Sequence, residues 1–146
     1  MKKTMFLLSL CLLLALGGCR GQADPAQTMD QAASSMLTAH GKDRYVLADE
    51  DFVTTNFGSE DHIKRAAIYL SREGDGTEFG FFELTDVKYR DRMIAEIRAY
   101  LAEEEAAVRS LAALYPANDL QARLYRFTRA KVGATGNLVY YELMDG

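Results

Sequence analysis

Reactive side chains are scarce in this chain, which has two cysteines and two histidines among 146 residues. Cys11 lies inside an apolar run and Cys19 just past its end, so removal of that run leaves a single cysteine. An intrachain disulfide and a cysteine metal cluster are then excluded, and an exported domain built this way depends on an ordinary hydrophobic core. Long hydrophobic runs are also missing. The one apolar tract, Met5 to Leu16, has twelve residues, whereas a spanning helix takes about 20. Basic charge is in deficit, with 17 Lys and Arg against 21 Asp and Glu and a net charge of −4. Such a balance disfavours nucleic acid as a partner and direct adhesion to anionic lipid.

What the N-terminus does contain is ordered. Lys2 and Lys3 precede the apolar tract "MFLLSLCLLLAL", and Gly17 and Gly18 follow it. A basic start, a short apolar core and small residues at its end have the form of a secretory signal. The alternative, a buried helix of the domain, is disfavoured because the tract is apolar all round and runs into a polar stretch. Leu16-Gly17-Gly18-Cys19 resembles the lipobox of bacterial lipoproteins. The resemblance implies cleavage between Gly18 and Cys19 and a diacylglyceryl thioether on Cys19, whose two chains give a stable membrane anchor. Residues 1–18 are therefore expected to be a lipoprotein signal peptide, 19–28 a tether, and 29–146 one domain. The mature chain of 128 residues keeps 15 basic against 21 acidic residues, a charge of −6.

The domain is expected to be α+β, with one or two short N-terminal helices, one long helix and a mostly antiparallel sheet of about four strands in two hairpins. Met29, Ala33, Met36 and Leu37 recur at helical spacing, with Gly41 as a stop. The stretch "LADEDFVTTNFG" favours a short helix capped by Asp49 and ended by Gly58, although Phe52-Val53-Thr54-Thr55 also suits a strand. Residues 62–72 and 78–84 form a hairpin around "EGDGT". Its second strand, "EFGFFEL", is apolar on both faces, with Phe79 and Phe81 on one and Phe82 and Leu84 on the other, as in a central covered strand. Thr85 to Leu114 is expected to be a helix about 45 Å long, ended by Pro116. Val87, Ile94, Leu101, Val108 and Tyr115 fall at intervals of seven, but Arg90 and Glu104 occupy the second set of seam positions. A coiled coil is thus poorly specified, and packing along a sheet is expected. After a short helical turn at "ANDLQARLY", the segments "RFTRAKV" and "NLVYYEL" suggest a second hairpin, with Val139, Tyr141 and Leu143 on one face.

Candidate chemistry is thin. "GDGTEFG", Gly74 to Gly80, has glycines spaced G-x-G-x-x-x-G and joins two strands, so it lacks the strand-to-helix context of a phosphate loop. Asp75 with Glu73 and Glu78 supplies too few oxygens for calcium. His40 adjoins a helix stop, and His62 follows Ser59-Glu60-Asp61 without a nucleophile elbow. Glu103-Glu104-Glu105 belongs to a solvated helix face, with Glu105 and Arg109 at pairing distance; Asp49-Glu50-Asp51 is no stronger. Tyr89, Tyr125, Tyr140 and Tyr141 are candidates for a binding surface. No catalytic residue, metal site or cofactor is expected.

The whole layout, most of all "EFGFFELTDVKYRDRMIAEIRAYL" from Glu78 to Leu101, resembles a family of small lipoproteins of Gram-positive bacteria known as a domain of unknown function. The resemblance covers roughly residues 30–143. It implies a lipid-anchored domain on the outer face of the cytoplasmic membrane and assigns no active residues. The expected function is a non-catalytic binding or protein-interaction module of the cell envelope, with an envelope protein as a possible partner. The alternative is a solute or lipid carrier with a pocket between the sheet and the long helix.

Overall fold

A computed structural model describes residues 25–58 and 61–145 of the chain. In order these form α1 (Pro25–His40), β1 (Tyr45–Leu47), α2 (Glu50–Phe57), β2 (Ile63–Ser71), β3 (Glu78–Leu84), α3 (Arg90–Leu114), α4 (Asn118–Phe127), β4 (Lys131–Thr135) and β5 (Leu138–Leu143). The five strands make one antiparallel sheet in the order β1-β2-β3-β5-β4. Among the described residues no helix is long and apolar enough to cross a membrane.

β3 is the central strand, and all seven of its residues are buried. Its alternation divides the core into two layers. Phe79 and Phe81 meet Met29 and Ala33 of α1 on one face. Phe82 and Leu84, with Val139, Tyr141 and Leu143 of β5, meet Phe57 of α2 and Met93, Ile97, Tyr100 and Leu101 of α3 on the other. The α+β class, the central strand and the face assignments of both hairpins thus match the sequence.

The boundaries differ in instructive ways. The sheet has five strands, not four, because β1 pairs with the far side of β2, with Tyr45 opposite Ser71. Three residues are too few to display an alternating pattern. Arg126 and Phe127, expected in a strand, close α4, which has ten residues rather than a single turn. Leu120, Leu124 and Phe127 place an apolar face on Val108 and Ala112 of α3, so tertiary burial extends the helix. Thr85 does not cap the long helix; its hydroxyl donates to the carbonyls of Asp61 and His62, at 3.1 and 3.3 Å. Asp86 instead accepts from the Lys88 amide at 2.9 Å and opens a 3-10 turn, Val87–Tyr89, that leads into α3. α1 begins at Pro25 and so includes the last four residues of the expected tether. The expectations for α2 hold: the Asp49 carboxylate accepts from the Phe52 amide at 2.8 Å, and Gly58 follows the last turn.

Two poles follow from these contacts. At one, Asp30 near the start of α1 pairs with Arg65 at 2.8 Å, and Arg65 lies opposite Glu83 near the end of β3. A bulge between Ile63 and Arg65 turns both Lys64 and Arg65 towards the Glu83 carboxylate, which is 1% exposed. At the other pole lie the β2–β3 turn, the end of α1 and the start of β1, where the Tyr45 and Thr77 hydroxyls meet at 3.3 Å. α3 runs antiparallel to β3, from the Glu83 pole to this second pole. It reaches Glu78, the first residue of β3, at Tyr100. Fourteen residues from Tyr100 to Leu114 then carry about 21 Å of helix onward.

Candidate functional site

The fold disperses the residues singled out in the sequence. Gly18 and Cys19 lie outside the described residues, as do Ser59 and Glu60. His40 ends α1 at one pole, whereas His62 is buried at the other with its Nε2 2.9 Å from Glu96 Oε2. Glu96 is itself held by Arg92 at 2.9 Å, and the His62 ring lies against Tyr89. In the β2–β3 turn, Asp75 accepts from both the amide and the hydroxyl of Thr77, at 2.8 and 2.7 Å. Arg44 pairs with Glu73 at 3.5 Å and with Asp75 at 3.3 Å, while Glu78 turns into the core. Of the three carboxylates considered for calcium, Glu73 and Asp75 therefore share Arg44, and Glu78 is separated from them. Among the described residues no group of three or more His, Cys, Asp or Glu is placed to hold a metal ion.

The tyrosine surface does not form. Strand alternation sends Tyr140 and Tyr141 to opposite sheet faces, Tyr141 into the core beside α3 and Tyr140 towards α1. Tyr125 is exposed on α4, and Tyr89 precedes α3. Between α3 and the centre of the sheet, where a carrier pocket was considered, lie the rings of Phe57, Phe82, Tyr100 and Tyr141, whose centroids are 4.9 to 6.4 Å apart in neighbouring pairs, whereas an open groove of about 500 Å³ remains between α3 and β4, lined by Leu101, Glu105 and Val132. Space remains at the sheet's other margin as well. A groove of about 480 Å³ runs between α1 and the β1–β2 edge, floored by Ala67, Tyr69 and Leu47.

One group, considered in the sequence only as a calcium ligand, stands out chemically in another way. The Glu78 side chain, 9% exposed, accepts from the Tyr141 hydroxyl at 3.0 Å and from the Tyr100 hydroxyl at 3.1 Å. Burial pushes its carboxyl up to about 7, against the two tyrosine hydrogen bonds, with the Glu104 charge adding to the rise and Arg123 opposing it. Burial and the Glu78 carboxylate in turn raise the phenols of Tyr100 and Tyr141 well above their ordinary range. Gly80 makes room for this arrangement, because a Cβ there would lie 2.4 Å from the Tyr141 ring. The signal was present in the alternation: Glu78 shares its parity with Phe82 and Leu84, and hence the α3 face of β3. A carboxyl tuned near neutrality suits proton transfer, but here aromatic rings and tyrosine hydroxyls occupy the space a substrate would need.

The second distinctive region is the far end of α3. Val108 and Ala112 are covered by α4, but Leu111 is 42% exposed, Leu114 73% and Tyr115 67%. These three, spaced i, i+3 and i+4, form an apolar ridge at the tip of the α3–α4 hairpin. Arg123 packs over Gly76, and Arg126 donates to the Asp75 carbonyl and pairs with Asp145, so α4 is clipped to the turn end of the sheet. The tip therefore stands at the pole opposite the start of α1. In comparisons with family models, known proteins and solved structures, the chain matches none.

Proposed function

We propose that the protein is a membrane-tethered, non-catalytic interaction module of the bacterial cell envelope, which presents the α3–α4 tip to a protein partner. The observation that carries the reading is the position of the ridge Leu111, Leu114 and Tyr115, at the opposite pole from the start of α1. With a lipid on Cys19, six peptide steps separate the anchor from Pro25, a reach of about 20 Å. The Glu83 pole then faces the bilayer, and the tip points away from it. Contiguous exposed apolar side chains mark interaction sites on soluble surfaces, and a surface facing away from the lipid suits a protein partner rather than the membrane. The closed packing around Glu78 supports the non-catalytic half of the reading.

A photo-crosslinking residue placed at position 114 of the full-length chain in envelope-bearing cells tests both halves together. The expected result is repeated capture of one identified envelope protein from position 114 and not from position 131 on β4. A Cys19→Ala chain should leave the membrane fraction and lose that capture, or fail to be cut after Gly18. Equal capture from both positions, or none from an anchored and folded chain, would overturn the contact surface. A Cys19→Ala chain that is still cut after Gly18 and stays membrane-bound would overturn the tether.

A further inference from the structure

Glu78 stands at the joint where α3 leaves the sheet. On the sheet side Tyr141 of β5 donates to one carboxylate oxygen, and on the helix side Tyr100 of α3 donates to the other. Leu101 still packs on the sheet-side core and Glu105 still faces β4, and from Val108 onward the helix has α4 beneath it, with the small cluster around Leu120. The charged groups facing the carboxyl are Glu104 from α3 and Arg123 from α4, and neither makes a direct ion pair with it among the described residues. From β5 the facing titratable group is Tyr141, and from α2 the neighbour is the apolar ring of Phe57. In the adjoining turn, Asp75 is held by Thr77, Arg44 and Arg126.

An ionised carboxylate can accept about four hydrogen bonds, and this site offers two. A neutral carboxyl needs less: its O–H donates to one tyrosine oxygen while its carbonyl accepts from the other tyrosine, and the displaced phenol proton turns to the hydrogen bond between Tyr100 and Tyr141. We infer that the joint is a proton-linked hinge: with Glu78 neutral α3 is seated on the sheet at Tyr100, and ionisation loosens that seat so that water reaches the carboxylate, while α4 keeps its own clip to the β2–β3 turn. The inference goes beyond the interaction reading and stands whether or not the tip meets a partner.

The direction follows from proton binding. In the opened, hydrated joint Glu78 ionises near its ordinary value of 4.5, whereas in the closed joint it ionises at about 7. Between those values the closed form holds the extra proton. Closure is therefore favoured fully below the lower value and is lost progressively as the pH rises through the upper one. Each pH unit of separation is worth tenfold in the opening equilibrium, so the ratio of open to closed joints rises by up to ~300-fold across the interval.

Amide hydrogen exchange of residues 98–106, measured on the full-length chain in detergent micelles from pH 5 to 8.5 and corrected for intrinsic rates, reports the opening directly. Opening in the wild type should rise by tens to a few hundredfold, and in Glu78→Gln it should be flat. Glu104→Gln should shift the rise to lower pH and shrink it, whereas Arg123→Gln should shift it to higher pH. A flat wild-type profile, or a Glu78→Gln profile that follows the wild type, overturns the hinge. If Glu78→Gln does not fold, the other two variants still decide: opposite displacements support the hinge, and no displacement or a shared direction overturns it.

Discussion

The two halves of α3 carry the same kind of pattern and meet different fates. In the first half, Met93, Ile97, Tyr100 and Leu101 are buried against Phe82, Val139 and Tyr141 of the sheet and Phe57 of α2. In the second, Val108 and Ala112 are buried only against α4, and Leu111 and Leu114 remain in water. A helical stripe records which side chains lie on one face. It does not record how far the covering surface extends. Here the sheet ends near Glu78 while the stripe runs on, and the surplus becomes the tip. The sevenfold spacing has the same lesson: an α-helix drifts about 20° per heptad, so the buried positions follow the 3.6-residue period, and Val87 and Tyr115 at the ends of the heptad series are exposed.

The comparison breaks most sharply at Ile97, which is fully buried in the first half. Ile97→Asp places a carboxylate among the rings without a partner, at a cost of more than about 4 kcal/mol. That is comparable to the whole stability of a small domain. The expected outcome is a chain without a cooperative urea transition. A folded Ile97→Asp protein would mean that α3 does not lie on the sheet in solution.

A smaller effect is expected at Val108, whose side chain is buried only by the α4 cluster. Val108→Ala removes two methyl groups, and partial collapse of a satellite cluster keeps the loss to roughly 1–2 kcal/mol. The loss should appear first as faster amide exchange in α4, with the sheet amides protected as before. If α4 and sheet amides accelerated together, the two halves would form one cooperative unit and the distinction between them would fail.

Much of this architecture is legible in the residues. The parity of "EFGFFEL" identifies a central strand covered on both faces, and the caps at Asp49 and Gly58 identify α2. Pro116 marks the end of α3 within two residues. The errors arise where tertiary contacts outweigh local pattern. β1 exists because the edge of β2 offers it a partner, and "RLYRF" stays helical because Leu124 and Phe127 have Val108 and Ala112 to cover. Glu78 was hidden for a related reason. Its parity places it on the buried face, but its raised ionisation depends on Tyr100 and Tyr141, which lie 22 and 63 residues away in the chain. Glu104 likewise belongs by sequence to an acidic solvated run, and only folding brings its charge to bear on Glu78.

The smallest expected effect is the most informative about function. Leu114 lies on the last turn of α3 and is the most exposed of its large apolar side chains, at 73%. It contributes little to the folded state, so Leu114→Asp should shift the urea midpoint by no more than about 0.5 kcal/mol in stability. A charge on the ridge should nevertheless abolish crosslinking from the neighbouring position 115, because a desolvated contact would then bury an unpaired carboxylate. These outcomes would separate stability from contact within one helix: the buried face of the first half holds the fold and tolerates no charge, whereas the tip is expected to accept a charge in the monomer but not in the proposed complex. A Leu114→Asp chain that is severely destabilised would place the tip in the core of the monomer, whereas one that keeps its crosslinks unchanged would move the partner surface elsewhere on the molecule.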